Sequence, residues 1–319
     1  MSLLIQPGPM SLVRRHFQKA AGGFDAHAAV FETVGERLRE RLDLLAIEPT
    51  RVLDLGCRSG YQLDALQRRF PQAQIVGADP APGPASTAGK PDSWSRWLRR
   101  PWRSVRTRLQ AEPGSPETVA CDPHALPFAD GSFDLVVCNL LLPWCHSPHR
   151  VFEEVARILT GGGAFFFTSA GPDTLLEYRA AWATIDSHPH GFGLVDMHDL
   201  GDTLMASGFA APVLDRDNLR VDYPSMGALQ SELRELGALN IANGRRQGLM
   251  SPSVRQALDT AAADAERFAV TLELVQGHGW KGELDLPGRR AGDEYRVSID
   301  SLRGSRGRRS EGVPGESRD

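Results

Sequence analysis

Short apolar runs alternate with amphipathic helical patterns through the middle of the chain. The runs are rich in Val, Ile, Leu and Phe, and they begin near Arg51, Gln74, Thr118, Phe133 and Ala164. Each is short enough for a strand and apolar enough for burial on both faces. Helical patterns lie at 61–70 and 149–159. Strands that alternate with helices predict an α/β fold with a mainly parallel sheet and right-handed crossovers.

Further elements are predicted on both sides of this region. Residues 11–45 have a helical pattern that Gly22 and Gly23 interrupt. The later elements are two helices and the sixth and seventh strands, at 173–185, 198–207, 212–223 and 268–276. The three glycines at 161–163 are predicted to end the helix that precedes the fifth strand.

Differences in composition along the chain predict one domain with two insertions, between an N-terminal segment and a C-terminal tail. A single domain is predicted over 11–281, after a flexible Pro/Gly-rich segment at 1–10. Two insertions are predicted inside it, one basic and Trp/Arg-rich at 80–117 and one helical at 225–264. The second lies between the last two strands, where it can cover a substrate. The Gly-, Arg- and Ser-rich tail at 282–319 is predicted to be disordered.

Composition narrows the class of protein. The chain has 319 residues and a formal net charge of −4, which disfavours general nucleic-acid binding. Its four cysteines have no metal-ligand spacing, so we expect no metal and reduced, buried thiols. No apolar run approaches the roughly 18 residues that cross a membrane, and the N-terminus lacks signal-peptide character. We expect a cytoplasmic monomer.

The turn after the first strand carries the first candidate chemistry. An apolar run ends at Asp54, a turn with Gly56 and Gly60 follows, and a helical pattern begins at Tyr61. This is the strand–turn–helix unit of a nucleotide-type binding fold, in which glycine allows the backbone to approach a ligand. An acid here would repel a pyrophosphate, so Asp54 favours a cationic or amine-bearing ligand. Arg58 stands where such loops usually carry a third glycine.

Polar residues at the ends of three later strands add further candidate chemistry. Asp79 ends the second strand, at the spacing expected for a carboxylate that binds a ribose diol. Asp122 follows the third strand and Asn139 the fourth. Together the segments resemble the successive motifs of class I S-adenosylmethionine-dependent methyltransferases, whose Rossmann-like fold has a seven-stranded, mostly parallel sheet.

That resemblance implies a role for each residue at the cofactor. Asp54, Gly56 and Gly60 belong to the loop, and Asp54 and Gly56 approach the methionine moiety. Asp79 binds the ribose hydroxyls and Asp122 the adenine amine. Asn139 and Leu140 line the methyl-donor end.

A narrower resemblance extends over about residues 12–281. The matching segments resemble the malonyl-[acyl-carrier protein] O-methyltransferases of biotin synthesis, and they lie at 13–28, 139–145, 171–182, 185–190, 196–202, 237–240, 244–246 and 277–281. The resemblance implies methyl transfer to the free carboxylate of a malonyl thioester. A carboxylate is already a nucleophile, so the reaction needs no general base and no metal. The residues predicted to hold the carboxylate are Arg245, Arg246 and His190.

Four positions depart from the family's usual residues. Arg58 replaces a loop glycine, Phe24 a tyrosine, Pro143 a glutamine and Ala170 a phenylalanine. These departures leave three alternatives open. They are a methyltransferase with another acceptor, an enzyme like the arginine-hydroxylating assembly factors of mitochondrial complex I, and a non-catalytic paralogue.

The basic insertion has two interpretations. Residues 94–108 contain six arginines, three tryptophans and no acid. They form either a solvated surface insertion or a docking patch for an acidic partner, for which the resemblance suggests malonyl-acyl carrier protein. In the second interpretation the docking residues are Arg96, Arg99, Arg100 and Arg103.

Overall fold

The computed structural model describes residues 5–43, 47–81, 117–248, 250–261 and 267–282, and the structural statements below concern these residues. Most of the basic insertion, with its four candidate docking arginines, lies outside the described residues. So does the predicted tail from residue 283 onward.

Seven strands form one sheet in the described chain. They are β1 (Arg51–Leu55), β2 (Gln74–Asp79), β3 (Glu117–Ala120), β4 (Phe133–Cys138), β5 (Leu159–Ala170), β6 (Phe209–Tyr223) and β7 (Phe268–Lys281). Their order across the sheet is β3-β2-β1-β4-β5-β7-β6. β7 is antiparallel to β5 and β6, and the other neighbouring pairs are parallel. The prediction of a seven-stranded, mostly parallel sheet is confirmed.

The described helices precede the sheet, connect its strands or cover its carboxyl edge. They are α1 (Met10–Ala20), α2 (Phe24–His27), α3 (Ala29–Asp43), α4 (Leu63–Arg69), α5 (Pro148–Ile158), α6 (Leu176–Ala183), α7 (Met197–Ala206), α8 (Met226–Glu235) and α9 (Pro252–Ala261). The last two belong to the segment between β6 and β7 where the sequence predicts a helical insertion.

The sheet is buried on both faces. Along β5, Phe165 and Phe167 point to the side covered by α5 and α7, while Phe166 points to the side covered by α3 and α4. All three rings are fully buried, which explains why this strand is a continuous apolar run rather than an alternating one. The buried sheet gives the loops at its carboxyl edge a rigid base.

The glycines at 161–163 do not end the preceding helix as predicted. α5 ends at Ile158, and β5 begins at once with Leu159. The pairing of β5 with β4 shifts register between Leu159 and Ala164, so the glycines form an irregularity within the strand. Gly162, with φ +76°, has a backbone conformation that suits glycine at such a bulge.

The described part of segment 1–10, from residue 5 onward, is hydrogen-bonded to the distant segment 240–243. The backbone N–H of Gly8 donates to the carbonyl of Ile241 at 2.6 Å, and that of Asn243 donates to the carbonyl of Gln6 at 2.7 Å. Pro7 forms an isolated antiparallel bridge with Ala242. We call residues 5–9 the N-terminal strap.

A buried ionic network fixes the loop that precedes β4. The carboxylate of Glu154 on α5 accepts a hydrogen bond from the backbone N–H of Leu126 at 2.8 Å. It also accepts two from Arg157, whose guanidinium donates to the carbonyls of Leu126 and Phe128 as well. This network holds the loop beside Asp122, one of the predicted site residues.

We expect Glu154→Gln to destabilise the fold by about 2–3 kcal/mol, because it leaves Arg157 without its buried anion. Chemical denaturation of the variant measures this change. Glu153→Gln is the matched control, since Glu153 is an exposed neighbour that pairs only with His149 and Arg150. It is expected to change stability by less than about 0.5 kcal/mol. Equal effects of the two substitutions would show that the network does not contribute to stability.

Among the described residues, no helix combines the length and the hydropathy that a membrane span requires.

Candidate active site

The ends of four neighbouring strands bring the predicted polar residues to one edge of the sheet. Asp54 lies at the end of β1 and Asp79 at the end of β2, and these strands pair in parallel with Leu55 opposite Ala78. Asp122 follows β3 by two residues, and Asn139 directly follows β4. Because neighbouring parallel strands end at the same edge, these polar groups lie together at the edge where open α/β sheets have their ligand-binding crevice.

The loop after β1 has the backbone conformation that its glycines allow. Gly56 and Gly60 have φ values of +91° and +88°. A Cβ atom on Gly56 would lie 2.8 Å from the Cβ of Leu141, which is too close for any other residue. The loop is also held by Gly56, whose N–H donates to the carbonyl of Ala78 at 2.6 Å.

The carboxylate of Asp54 is fully buried, and neither of its oxygens has a hydrogen-bond partner in the described structure. Burial, followed by the charge of Asp79, raises the pKa of Asp54 to about 7, although Arg39 acts in the opposite direction. Buried carboxylates without partners are rare because they lose hydration without compensation. A ligand ammonium group would supply both the missing hydrogen bonds and the missing countercharge.

Asp79 is also fully buried, but it has partners. Its Oδ1 accepts the backbone N–H of Ala81 at 2.6 Å, and its Oδ2 accepts that of Arg58 at 3.1 Å. Burial raises the pKa of Asp79, while the charge of Arg58 lowers it. The carboxylate is therefore fixed at the base of the crevice by the loop itself.

Asp122 lies at the third strand end, beside His124. Its Oδ1 accepts the backbone N–H of His124 at 2.9 Å and lies 2.7 Å from the ring Nδ1 of the same residue. Burial acts to raise the pKa of Asp122, but the hydrogen bonds from His124 outweigh it and hold the pKa below its usual value. The residue is only half-buried, so it remains accessible to an exocyclic amine.

Asn139 is fixed by three hydrogen bonds at the fourth strand end. Its side-chain amide donates to the carbonyl of Phe31 and to the hydroxyl of Tyr61, and its oxygen accepts the hydroxyl of Thr168. The hydroxyl of Thr168 in turn accepts the N–H of Leu140. Asn139 therefore ties the loop after β1, strand β5 and helix α3 together. The sequence did not single out Tyr61 or Thr168.

A cavity lies beside this edge of the sheet. Its walls are almost entirely apolar and include Leu140, Pro143, Trp144, Ala170, Phe192, Leu236 and Leu272. Leu140 is thus both a predicted cofactor-side residue and part of this wall, and the two departures Pro143 and Ala170 also line it.

The charged group in the cavity lining is Glu232 of α8, which the sequence did not indicate. The hydroxyl of Tyr223, at the end of β6, donates to Oε1 of Glu232 at 2.7 Å. Burial and the nearby Glu232 raise the pKa of Tyr223. Nine positions separate the two residues across a turn, and no local pattern in the sequence predicts that contact.

The three predicted carboxylate binders lie outside the lining of this cavity. The ring of His190 stacks on that of Trp182 at 3.9 Å between centroids, and its Nε2 lies 2.9 Å from Oδ1 of Asp186. Arg246 pairs with the other oxygen of Asp186 at 3.7 Å. Arg245 lies close enough to His16 to lower the pKa of that histidine, after the larger effects of burial and Arg15. Their role as carboxylate binders stays a prediction.

The crevice fits the cofactor that the resemblance implies. The unpartnered oxygens of Asp54 match an ammonium group, and the turn at Gly56 leaves the backbone free of side chains. Among the described residues, the hydroxyl of Ser59 in the same loop is also buried without a partner. Buried polar atoms without partners, gathered in one loop, are expected where a polar ligand completes the structure.

Comparisons with known proteins place the chain among methyltransferases. A family model described as a methyltransferase domain matches residues 53–167. A malonyl-[acyl-carrier protein] O-methyltransferase of Laribacter hongkongensis is 37% identical over 274 residues, which is 85% of this chain and 89% of the relative. The protein of the same name from Halorhodospira halophila is 35% identical over 302 residues, or 93% of this chain and 95% of that relative.

A solved structure has a similar fold at low sequence identity. The YcgJ protein from Bacillus subtilis superposes with a TM-score of 0.51 and 16% identity. The match covers 78% of this chain and 99% of that protein. At this identity the likeness supports the fold alone.

Proposed function

Because this chain belongs to the family of malonyl-[acyl-carrier protein] O-methyltransferases, we propose that it methylates the free carboxylate of malonyl-acyl carrier protein in biotin precursor synthesis. It is an S-adenosylmethionine-dependent methyltransferase with a Rossmann-like fold. The relatives are named for this reaction rather than for arginine hydroxylation, which favours it over the alternatives that the sequence leaves open.

The observation that carries this proposal is the position of Leu140. It directly follows Asn139 at the fourth strand end and lines the apolar cavity. The cavity therefore opens beside the predicted methyl-donor end of the cofactor site. A small acceptor in the cavity lies within reach of that end, as direct transfer between two bound ligands requires.

The apolar walls suit the chemistry of this transfer. The cofactor supplies an electrophilic methyl group on a positively charged sulfur, and the acceptor supplies a negatively charged oxygen. These charges disappear as the oxygen–carbon bond forms and the sulfur–carbon bond breaks. A site that excludes water leaves the carboxylate less solvated and therefore more reactive. Leu140, Phe192 and Leu236 are among the apolar side chains that line the cavity.

The arrangement of the crevice supports the cofactor roles that the resemblance implies. We assign the α-ammonium group to Asp54 and the ribose hydroxyls to Asp79, with Gly56 and Gly60 shaping the loop. Asp122 is assigned to the adenine amine, and its half-buried position supports that role. Asn139 holds the methyl-donor end in place through the contacts that link it to three elements.

The partner and the location extend the same proposal. We keep Arg96, Arg99, Arg100 and Arg103 as predicted docking residues for the acidic carrier protein. Arg245, Arg246 and His190 stay predicted binders of its malonyl carboxylate, and none of the three lines the cavity itself. The four cysteines are free and buried, as expected in the reducing cytoplasm.

The proposal is tested with purified protein, S-adenosylmethionine and malonyl-acyl carrier protein. We expect a malonyl methyl ester, detected by mass spectrometry, together with one S-adenosylhomocysteine for each ester. Succinyl-acyl carrier protein is the control for acceptor length. Complementation of a biotin auxotroph that lacks this methyltransferase tests the same activity in cells. The proposal is wrong if the protein binds S-adenosylhomocysteine but methylates neither the carrier-protein nor the coenzyme A form of the malonyl thioester.

A further inference from the structure

Arg58 places a buried positive charge in the cofactor loop. Its side chain is only 6% exposed. The guanidinium carbon lies 3.6 Å from the ring centre of Phe17 and 4.5 Å from that of Phe24. Nη2 donates to the carbonyl of Leu236 at 2.5 Å, whereas Nη1 is buried without a hydrogen-bond partner.

The backbone of Arg58 is also strained. Its φ is +53°, in the left-handed region that a side chain disfavours and that glycine adopts freely. Strained non-glycine residues persist where surrounding contacts over-determine them, and they cluster at ligand sites. An arginine here, in place of the glycine that is usual in such loops, points to a role for the side chain.

The contacts of the guanidinium place it on the ligand side of the loop. Phe17 lies on α1, Phe24 begins α2, and Leu236 follows the last residue of α8. These elements cover the carboxyl edge of the sheet, and Leu236 also forms part of the cavity wall. The side chain of Arg58 therefore lies between the cofactor loop and the helical elements that cover the carboxyl edge of the sheet.

Asp54 is the complementary group, four residues earlier in the chain. Both of its oxygens are buried without partners, and its charged neighbours are Asp79 and Arg39. Asp54 and Arg58 do not hydrogen-bond to each other, so each retains unsatisfied bonding capacity. The loop thus carries an unpartnered anion and an unpartnered cationic N–H within five consecutive residues.

We propose that Arg58 binds the α-carboxylate of the methionine moiety of S-adenosylmethionine through Nη1, while Asp54 binds its α-ammonium group. An amino-acid zwitterion carries these two charges on one carbon atom and satisfies both orphaned groups at once. A guanidinium bonded to a carboxylate is among the strongest hydrogen-bonded pairs in proteins. This inference rests on the proposed function, which supplies the cofactor.

The loop position favours the cofactor over the acceptor as the partner of Arg58. The backbone N–H of Arg58 is bonded to Asp79, the residue assigned to the ribose. Its side chain contacts the cavity wall only through the carbonyl of Leu236, whose oxygen it already occupies. The alternative is that Arg58 binds the malonyl carboxylate of the acceptor instead. The experiment below distinguishes these two roles.

The test compares two ligands by calorimetry and requires no turnover. S-adenosylhomocysteine carries the amino-acid group, whereas 5′-methylthioadenosine keeps the adenosine and the thioether but lacks that group. We expect Arg58→Met and Arg58→Gly to weaken S-adenosylhomocysteine binding by about tenfold to a hundredfold. We expect them to change 5′-methylthioadenosine binding by less than about threefold, because that ligand makes no contact with Arg58. Arg68→Met, at the exposed end of α4, is the control for loss of an arginine and should change neither affinity.

Any other result contradicts the inference, and each pattern of affinities indicates a different role for Arg58. Unchanged or tighter S-adenosylhomocysteine binding by Arg58→Gly would show that the side chain is neutral or obstructs the site. An effect confined to the KM for the malonyl thioester would assign Arg58 to the acceptor. Equal weakening of both ligands would indicate a structural role. If the unaltered protein binds no S-adenosylhomocysteine, the proposed function fails as well, whereas a failure limited to the variants leaves it intact.

Discussion

Asp54→Asn is expected to lower the affinity for S-adenosylhomocysteine by about a hundredfold at pH 8, because it removes the buried anion that faces the ligand ammonium group. The same change is expected to stabilise the free protein at that pH. In the ligand-free fold the ionised carboxylate is fully buried with no hydrogen bond to either oxygen. The substitution thus separates the effect of Asp54 on ligand affinity from its effect on the stability of the folded protein.

The pH dependence of stability gives the second half of this prediction. The unfolded chain releases the proton of Asp54 near pH 4, whereas burial and Asp79 raise the pKa to about 7 in the folded protein. Between these values the folded state binds more protons, so its stability falls as the pH rises. From pH 5 to pH 8 we expect the unaltered protein to lose about 2–3 kcal/mol more stability than Asp54→Asn.

Two measurements check this prediction. Urea denaturation at both pH values gives the difference in stability, and calorimetry gives the affinity for S-adenosylhomocysteine. In the unaltered protein the affinity should also fall below pH 7, as Asp54 becomes protonated. Parallel stability curves for the two proteins would show that Asp54 is not protonated at neutral pH. Unchanged affinity in the variant would remove Asp54 from the cofactor site.

Leu272→Trp is expected to lower methyl transfer by about a hundredfold, because it narrows the acceptor cavity and displaces the acceptor from the methyl-donor end. Leu272 is half-buried on β7 and lines the cavity. The cofactor residues lie on other strands, so S-adenosylhomocysteine affinity should stay within about twofold of that of the unaltered protein. The two readouts separate the acceptor site from the cofactor site.

Val213→Trp is the matched control for this substitution. Val213 lies on the neighbouring strand β6 and is 50% exposed, so the same large ring should fit there without loss of transfer. Initial rates with malonyl-acyl carrier protein measure both variants. If Leu272→Trp keeps a normal rate, the acceptor does not occupy the described cavity.

The cofactor side of the site could be predicted from sequence because its signals are local. Asp54, Asp79 and Asn139 each follow a short apolar run, and a parallel sheet brings strand ends together without any further information. The order of these runs along the chain was sufficient to predict both the sheet and the edge that carries the site. The glycine turn needed only its own residues to be recognised.

The acceptor side could not be predicted in this way because its walls come from distant parts of the chain. Val30, Leu140, Phe192 and Leu272 line one cavity, yet more than 240 positions separate the first from the last. The contact between Tyr223 and Glu232 similarly depends on where α8 packs against β6. Such contacts follow from tertiary packing, which leaves no period in the sequence.

Arg58 illustrates both what the sequence can predict and what it cannot. The sequence identifies it as a departure from the usual loop, but only the structure shows that its charge is buried between Phe17 and Phe24. The partner of Nη2 is a backbone carbonyl at Leu236, and a carbonyl has no signature in the sequence. An apparent defect in a motif can therefore be a position with contacts of its own.

The N-terminal strap has a consequence for how the protein is made. The carbonyl of Pro7 accepts a hydrogen bond from the side chain of Asn243, a partner 236 positions later in the chain. During synthesis the strap leaves the ribosome well before its partners at 241–243, so these bonds form only after most of the domain has emerged. The first five strands can assemble before then. Docking of the strap depends on contacts of very high sequence separation and is expected to be a slow, late step of folding.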